Sequence, residues 1–406
     1  MKQVFHSTYT TALSTGSTQY FSPFYGSNTS ATGHSTTETN KQMVMPIAGT
    51  VRNLRITLRT APGAGKSRTF TLRKNAADQS VTVTISDANT TAVDTTNSFT
   101  YAAGDLLSVK SVPTSTPAAS IVDWSIESEG TNAKEFFTAS SPGTASASAT
   151  NYTQIIDSGE WSATYANRSN IIPGTFTLKT IYANLVTAPG AAKTWTFQMY
   201  KNGAAEASSS FAITGAGTTT GNVTGLSIAY AAADTIAFQS VPTGTPTTSK
   251  MRFGFGWSAN TDGESIIGGN ANVNALSNSA TNYVAVSAAF TAPTATEAGV
   301  KSLSGPTSWV FKNFRVVLSG APAAGKSYAF TLRKNTANGN STITIADAAT
   351  SGTDGTNTDT IADTNVIDIS SVPTGTPTAQ SAKWTAIQYI APPTGSRLLP
   401  LLGVGT

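Results

Sequence analysis

Cysteine is absent from the chain. That removes disulfides, thiolate zinc sites and cysteine nucleophiles together. Charge is scarce as well: 11% of residues are charged, against about 25% in an average soluble protein. Histidine occurs twice, at His6 and His34. No stretch approaches the roughly 18–20 apolar residues of a membrane span, and the N-terminus lacks an apolar run of signal-peptide length. A soluble protein is expected, with no membrane partner. What fills the space is Ser and Thr, about 28% together, plus 12 Tyr, 17 Phe and 6 Trp in a chain that is 39% hydrophobic. Aromatics and β-branched residues at this level argue for an ordered, mostly β protein.

The net charge is +4, from 25 Lys and Arg against 21 Asp and Glu. A cluster of cations falls at Arg52, Arg55, Arg59, Lys66, Arg68, Arg73 and Lys74. It reads as a solvated strand face or a contact with acidic neighbours rather than a nucleic-acid stripe.

The sequence repeats. Leu54–Asn75 returns as Ala183–Asn202 and again as Phe314–Asn335. Ser111–Pro117 returns as Ser240–Pro246 and Ser371–Pro377. The period, about 130 residues, suits a complete small domain better than a solenoid unit of roughly 20–50 residues. Within each copy the apolar period is two: Leu54, Ile56 and Leu58 alternate with Arg55, Thr57 and Arg59. Such alternation marks strands with one wet face. An aromatic recurs in the last strand at Trp124, Phe253 and Trp384 and should cap its own core. The expected fold is all-β: three tandem β-sandwich, jelly-roll-like domains of about eight strands each. Their expected bounds are 1–137, 138–268 and 269–391, with a Leu/Pro tail at 392–406. Each is expected to be self-sufficient, so that a core truncation unfolds one and spares the others.

One enzyme-like motif stands out. Gly320–Ser327 fits the phosphate-loop pattern G-x-x-x-x-G-K-[ST]. That chemistry needs a helix after the loop to meet the phosphates, and here an alternating strand follows. Thr60 in the first copy, then Thr187 and Ala192 in the second, replace the glycines. A strand hairpin is expected instead. The histidines have no counterparts in the other copies; they are expected to be solvated rather than catalytic. Asp87 and Asp94, matched by Asp347 and Asp354, could supply oxygen ligands to Ca²⁺. Their commoner use is to cap turns, and no metal or other cofactor is expected. Leu398, Leu399, Leu401 and Leu402 flank Pro400 in the tail. They suit either a segment folded back on the third copy or an arm docking on a neighbour.

The string from Asn53 through Ala61–Ser67 to Thr69–Asn75, with Gly104, Asp105, Val112 and Pro113 after it, resembles repeats in structural proteins of tailed phages. Their jelly-roll modules are similar in size and layout to the trimeric tumour-necrosis-factor/C1q type. The resemblance implies a non-enzymatic virion component, foremost a capsid decoration protein whose partners are other virion proteins such as the major capsid protein. The alternative is a head- or tail-fibre adhesin binding a host receptor or glycan, for which Trp161, Trp257 or Trp309 would have to be exposed. Linked copies of a trimeric module could close into a pseudo-trimer; a linear string is the other arrangement.

Overall fold

The computed structural model describes residues 1–9, 11–24, 33–156, 160–270, 274–289 and 292–392. Leu398, Leu399, Leu401 and Leu402 lie outside the described residues.

Module 1 runs β1 (Lys2–Thr8), β2 (Gln19–Phe21), β3 (Met43–Val44), β4 (Gly49–Leu58), β5 (Gly63–Lys74), β6 (Ala77–Asp87), β7 (Thr91–Tyr101), β8 (Leu106–Thr114) and β9 (Val122–Gly130). One sheet has the order β1-β9-β4-β7; the other is β2-β8-β5-β6, with β3 also pairing β8. Since β2 and β3 share one place beside β8, there are eight strand positions in jelly-roll order. Modules 2 and 3 repeat this arrangement, giving six sheets in three sandwiches. Apolar residues of facing sheets, such as Ile56 and Trp124 against Phe70 and Val109, meet in the core.

The strands that open modules 2 and 3, Glu135–Thr144 and Glu264–Asn270, pair inside those modules. The sheets therefore begin a few residues before 138 and 269, and the links between modules shrink to 131–134 and 260–263.

The repeated landmarks are turn chemistry. Asn75 and Ala76 both have positive φ between β5 and β6, the signature of a two-residue hairpin whose twist matches its strands. Asn75 Oδ1 then accepts from Leu106 N at 2.9 Å, and its Nδ2 donates to Asp105 Oδ1 at 2.7 Å. Asn202 and Asp234 repeat the pair. The loop between β4 and β5 is not the expected hairpin. β4 and β5 belong to different sheets, so it is an arch across the sandwich. The same holds for the phosphate-loop look-alike, which joins Trp309–Leu318 to Ala323–Lys334 in opposite sheets. Alternation fixes which face of a strand is buried; it does not say which sheet the strand joins.

The modules close into a ring. β3 packs on Glu135–Thr144, Phe176–Leu185 and Lys250–Ala259 of module 2. Asn170–Ile171 packs likewise on Glu264–Asn270 and Ala382–Tyr389 of module 3, and Ser302–Leu303 packs back on β1 and β9. The same two surfaces thus meet three times head to tail, and the third contact closes a pseudo-trimer. This packing covers the outer face of each first strand, so β1 and Glu264–Asn270 are buried on both faces. Free sheet edges invite mispairing; here side chains from neighbours occupy them. Gln3 donates to Phe137 O and accepts from Phe137 N, both at 3.0 Å. Gln388 does the same to Val4, at 2.9 Å each way.

The modules share apolar surface. One hydrophobic cluster runs through modules 1 and 2 and takes in Ile266 and Ile387 of module 3, while Val4 of module 1 sits in the module 3 core. Phe5 stacks on Phe137 across the first interface, centroids 4.9 Å apart.

Candidate docking site

The two landmarks meet in space. Ala118 N donates to Pro62 O at 3.0 Å, Thr247 N to Pro189 O at 2.8 Å and Thr378 N to Pro322 O at 2.8 Å. Each pair ties the loop after the seventh strand position, β8 in module 1, to the β4–β5 arch. Backbone geometry explains the residues: Ser115 and Thr116, Gly244 and Thr245, Gly375 and Thr376 are successive positive-φ pairs, which glycine adopts most readily. Yet the tips Thr114–Thr116, Thr243–Thr245 and Thr374–Thr376 are exposed. Rotation about the ring axis carries one tip to the next. The ring therefore presents one nearly identical loop pair three times, at equivalent positions.

The interfaces, by contrast, are individual. Arg252 of module 2 donates to Thr39 O of module 1, and Lys383 of module 3 to Ala166 O and Ser169 Oγ of module 2. The equivalent residue of module 1 is Asp123, which pairs with its own Arg59 at 3.1 Å. Where module 3 closes on module 1, Glu127 is fully buried. Arg52 lies 2.6 Å and Lys2 3.6 Å from it, and Thr307 of module 3 donates to it. Burial would raise its pKa, but the Thr307 and Arg52 contacts hold it below the usual carboxylate range.

The arginines of the cation cluster are paired inside the molecule. Arg52 pairs with Glu127 and Glu129, Arg55 with Asp363, Arg59 with Asp123, and Arg73 with Glu38 and Asp78. Arg68 is buried and donates to the carbonyls of Ser14 and Ala118.

The histidines are buried, against expectation. His6 faces module 3 and stacks on Trp309 at 5.9 Å; His34 meets the Tyr9 ring edge-on at 4.8 Å. Burial pushes His6 down to about 4 and His34 down to about 3, so both are neutral packing groups. No hydrogen-bond partner reaches either ring among the described residues.

The aspartates are not gathered: no cluster of three or more metal-ligating side chains exists among the described residues. Asp94 accepts from the N–H groups of Thr82, Thr96 and Asn97, and Asp354 from those of Thr342, Thr356 and Asn357. Asp87 and Asp347 each accept from a loop N–H, of Gly65 and Gly325, at 2.7 Å. Their φ values, 58° and 56°, explain why Gly215 serves at this place in module 2.

Two of the three tryptophans proposed for sugar contact are unsuited to it. Trp257 and Trp309 are buried, and Trp161 packs edge-on against Phe253 at 5.6 Å. A different aromatic group lies half-exposed on module 2. Tyr152, Tyr165 and Tyr200 have centroids 5.1–5.7 Å apart, and Gln239 donates to the Tyr152 hydroxyl at 3.1 Å. Modules 1 and 3 have a cation there, Arg73 with Glu38 and Arg333 with Glu297. The departure of Gln198–Tyr200 from the repeat was the signal in the sequence. No protein-family model matches the chain, and no curated protein is similar to it in sequence.

Proposed function

We propose that the chain is a non-enzymatic structural component of a phage particle, a single-chain pseudo-trimer that decorates the capsid at a site of threefold or quasi-threefold symmetry. The observation that carries this reading is the exposed loop pair, repeated at three equivalent positions of the ring. A surface that must meet three equivalent partners has to repeat, whereas interfaces that only join modules are free to diverge, and they have. The major capsid protein is the partner this reading requires. A particle reconstruction tests it: density for one ring over each threefold or quasi-threefold position supports decoration. The triple substitution Thr116→Lys, Thr245→Lys and Thr376→Lys should abolish attachment to the shell while the ring stays folded. Attachment that survives all three sinks the assignment of this face.

The Tyr152, Tyr165 and Tyr200 group favours a second reading, an adhesin holding a host glycan, because aromatic rings beside amides suit sugar faces. Glycan-array binding lost in Tyr200→Ala, with only a few copies per particle, would favour it over decoration.

A further inference from the structure

Arg55, Tyr182 and Arg315 occupy the same place in the three modules, each at the edge of the preceding module's turn after the sixth strand position, β7 in module 1. Arg55 Nη2 meets Asp363 Oδ1 at 2.6 Å. Tyr182 lies over Gly104, 3.7 Å from where a Cβ would stand. Arg315 and Ala232 line one pocket of about 390 Å³ between modules 2 and 3. The carboxylate present at the first of these interfaces is therefore missing at the last. Among the described residues no hydrogen bond or ion pair engages Arg315, and its buried Nε has no partner. Burial lowers the pKa of this guanidinium, as expected for a cation short of a counter-charge. The polar wall is neutral, formed by Thr175, Asn260, Thr261, Asn313 and Thr353. The one carboxylate on it, Glu264, is held by Lys312 Nζ at 2.7 Å.

We propose that this cavity binds an acidic sugar, with its carboxylate on Arg315 and its hydroxyls on the surrounding amide and hydroxyl groups. A guanidinium fork matches a carboxylate through two parallel hydrogen bonds. One cation balances one carboxylate and leaves a phosphate dianion uncompensated. The volume is in the range of small-molecule sites, roughly 300–1,000 Å³, and exceeds what a single aspartate side chain would fill. The site stands whether or not the ring decorates a shell.

Calorimetric titration of the full chain with glucuronate, glucose and inorganic phosphate tests it. Glucuronate should bind saturably and glucose not at all. Arg315→Gln should weaken glucuronate about ten-fold or more, the loss of a charge-assisted pair. Ala232→Asp restores the counter-charge that Asp363 gives Arg55; it should abolish binding without lowering the melting temperature. Arg55→Gln should leave binding unchanged. No saturable glucuronate binding, equal affinity in Arg315→Gln, or phosphate bound as tightly as glucuronate would each overturn the proposal. So would binding confined to an acidic polypeptide such as polyglutamate.

Discussion

Trp124→Ala measures how far the ring is one folding unit. Trp124 is fully buried, lies 4.7 Å from the Phe21 ring and 5.0 Å from Tyr9, and donates Nε1 to Pro23 O at 2.8 Å. Truncating such a side chain costs about 3–5 kcal/mol. What that does to the melting temperature depends on how much chain melts together. Unfolding entropy is about 2.1 cal/mol/K per residue, so the 406-residue ring carries about 0.85 kcal/mol/K. A 4 kcal/mol loss then moves a single transition down by about 5 °C. A lone module of about 130 residues carries only about 0.27 kcal/mol/K, and the same loss would split off a peak about 15 °C lower with a third of the enthalpy. Because one apolar cluster runs through modules 1 and 2 and reaches module 3, the small shift of one undivided peak is the expected result. Differential scanning calorimetry reads both quantities in one scan. A low-temperature peak of one-third area, with the remainder at the wild-type temperature, would show the modules melting alone and refute the argument.

Other perturbations test other parts of the ring. A Cβ at Gly256 would stand 2.7 Å from Ile47 Cγ2, so Gly256→Val should cost about 1–3 kcal/mol by overpacking; adding Ile47→Ala should recover part of it, and strictly additive denaturation midpoints would refute the contact. Asp368 is fully buried, and no donor among the described residues reaches its oxygens; burial and the adjacent Glu297 push its carboxyl up to about 7. Between pH 4 and 7 the folded state keeps a proton that the unfolded state releases, so this group's contribution declines as pH rises through that window. Asp368→Asn should therefore gain on wild type from pH 4 to pH 8, by about 4 kcal/mol at most, and parallel stability curves would exclude it. Asp354→Ala should cost about 1–3 kcal/mol by stranding three backbone N–H groups, while a chelator should leave the wild-type melting temperature unchanged; a chelator-induced drop would instead point to a bound ion.

The sandwich was legible in the sequence because period-two alternation and turn residues are local. Leu54, Ile56 and Leu58 mark their inward face without help from the rest of the chain, and Lys74-Asn75 marks its turn. What joins to what was not legible. The arch after Leu58 looks like a hairpin because sheet membership depends on pairing partners far away in sequence. His6 looks solvated in a polar segment because the Trp309 that covers it lies 303 positions on. Burial on both faces of β1 was hidden for the same reason: His6 on one face and Gln3 on the other are covered by different modules, at Trp309 and Phe137. The tyrosine group could be found only by asking where one copy departs from the other two.

Covalent linkage makes that divergence useful. In a homotrimer each interface must be the same, so a protrusion on one surface needs a matching hollow on the other in every copy. Here the matches are distributed. Ile47 of module 1 meets Gly256 of module 2, and Gly174 of module 2 meets Ile387 of module 3, where a Cβ would come within 2.9 Å of Ile387 Cδ1. Thr307 of module 3 meets Glu127 of module 1. Run the ring in the opposite order and Ile47 would face Ile387, Thr307 would face Gly256, and Glu127 would lie against Gly174. The first is overpacked, the second leaves a void, and the third strips a buried carboxylate of a donor. Each wrong contact is disfavoured by a different mechanism, so no single substitution would make the reversed order acceptable. The short links at 131–134 and 260–263 favour the same order by holding successive modules at high effective concentration. Interface chemistry and chain connectivity therefore select one ring, and the repeated loop tips are left free of any part in assembling it.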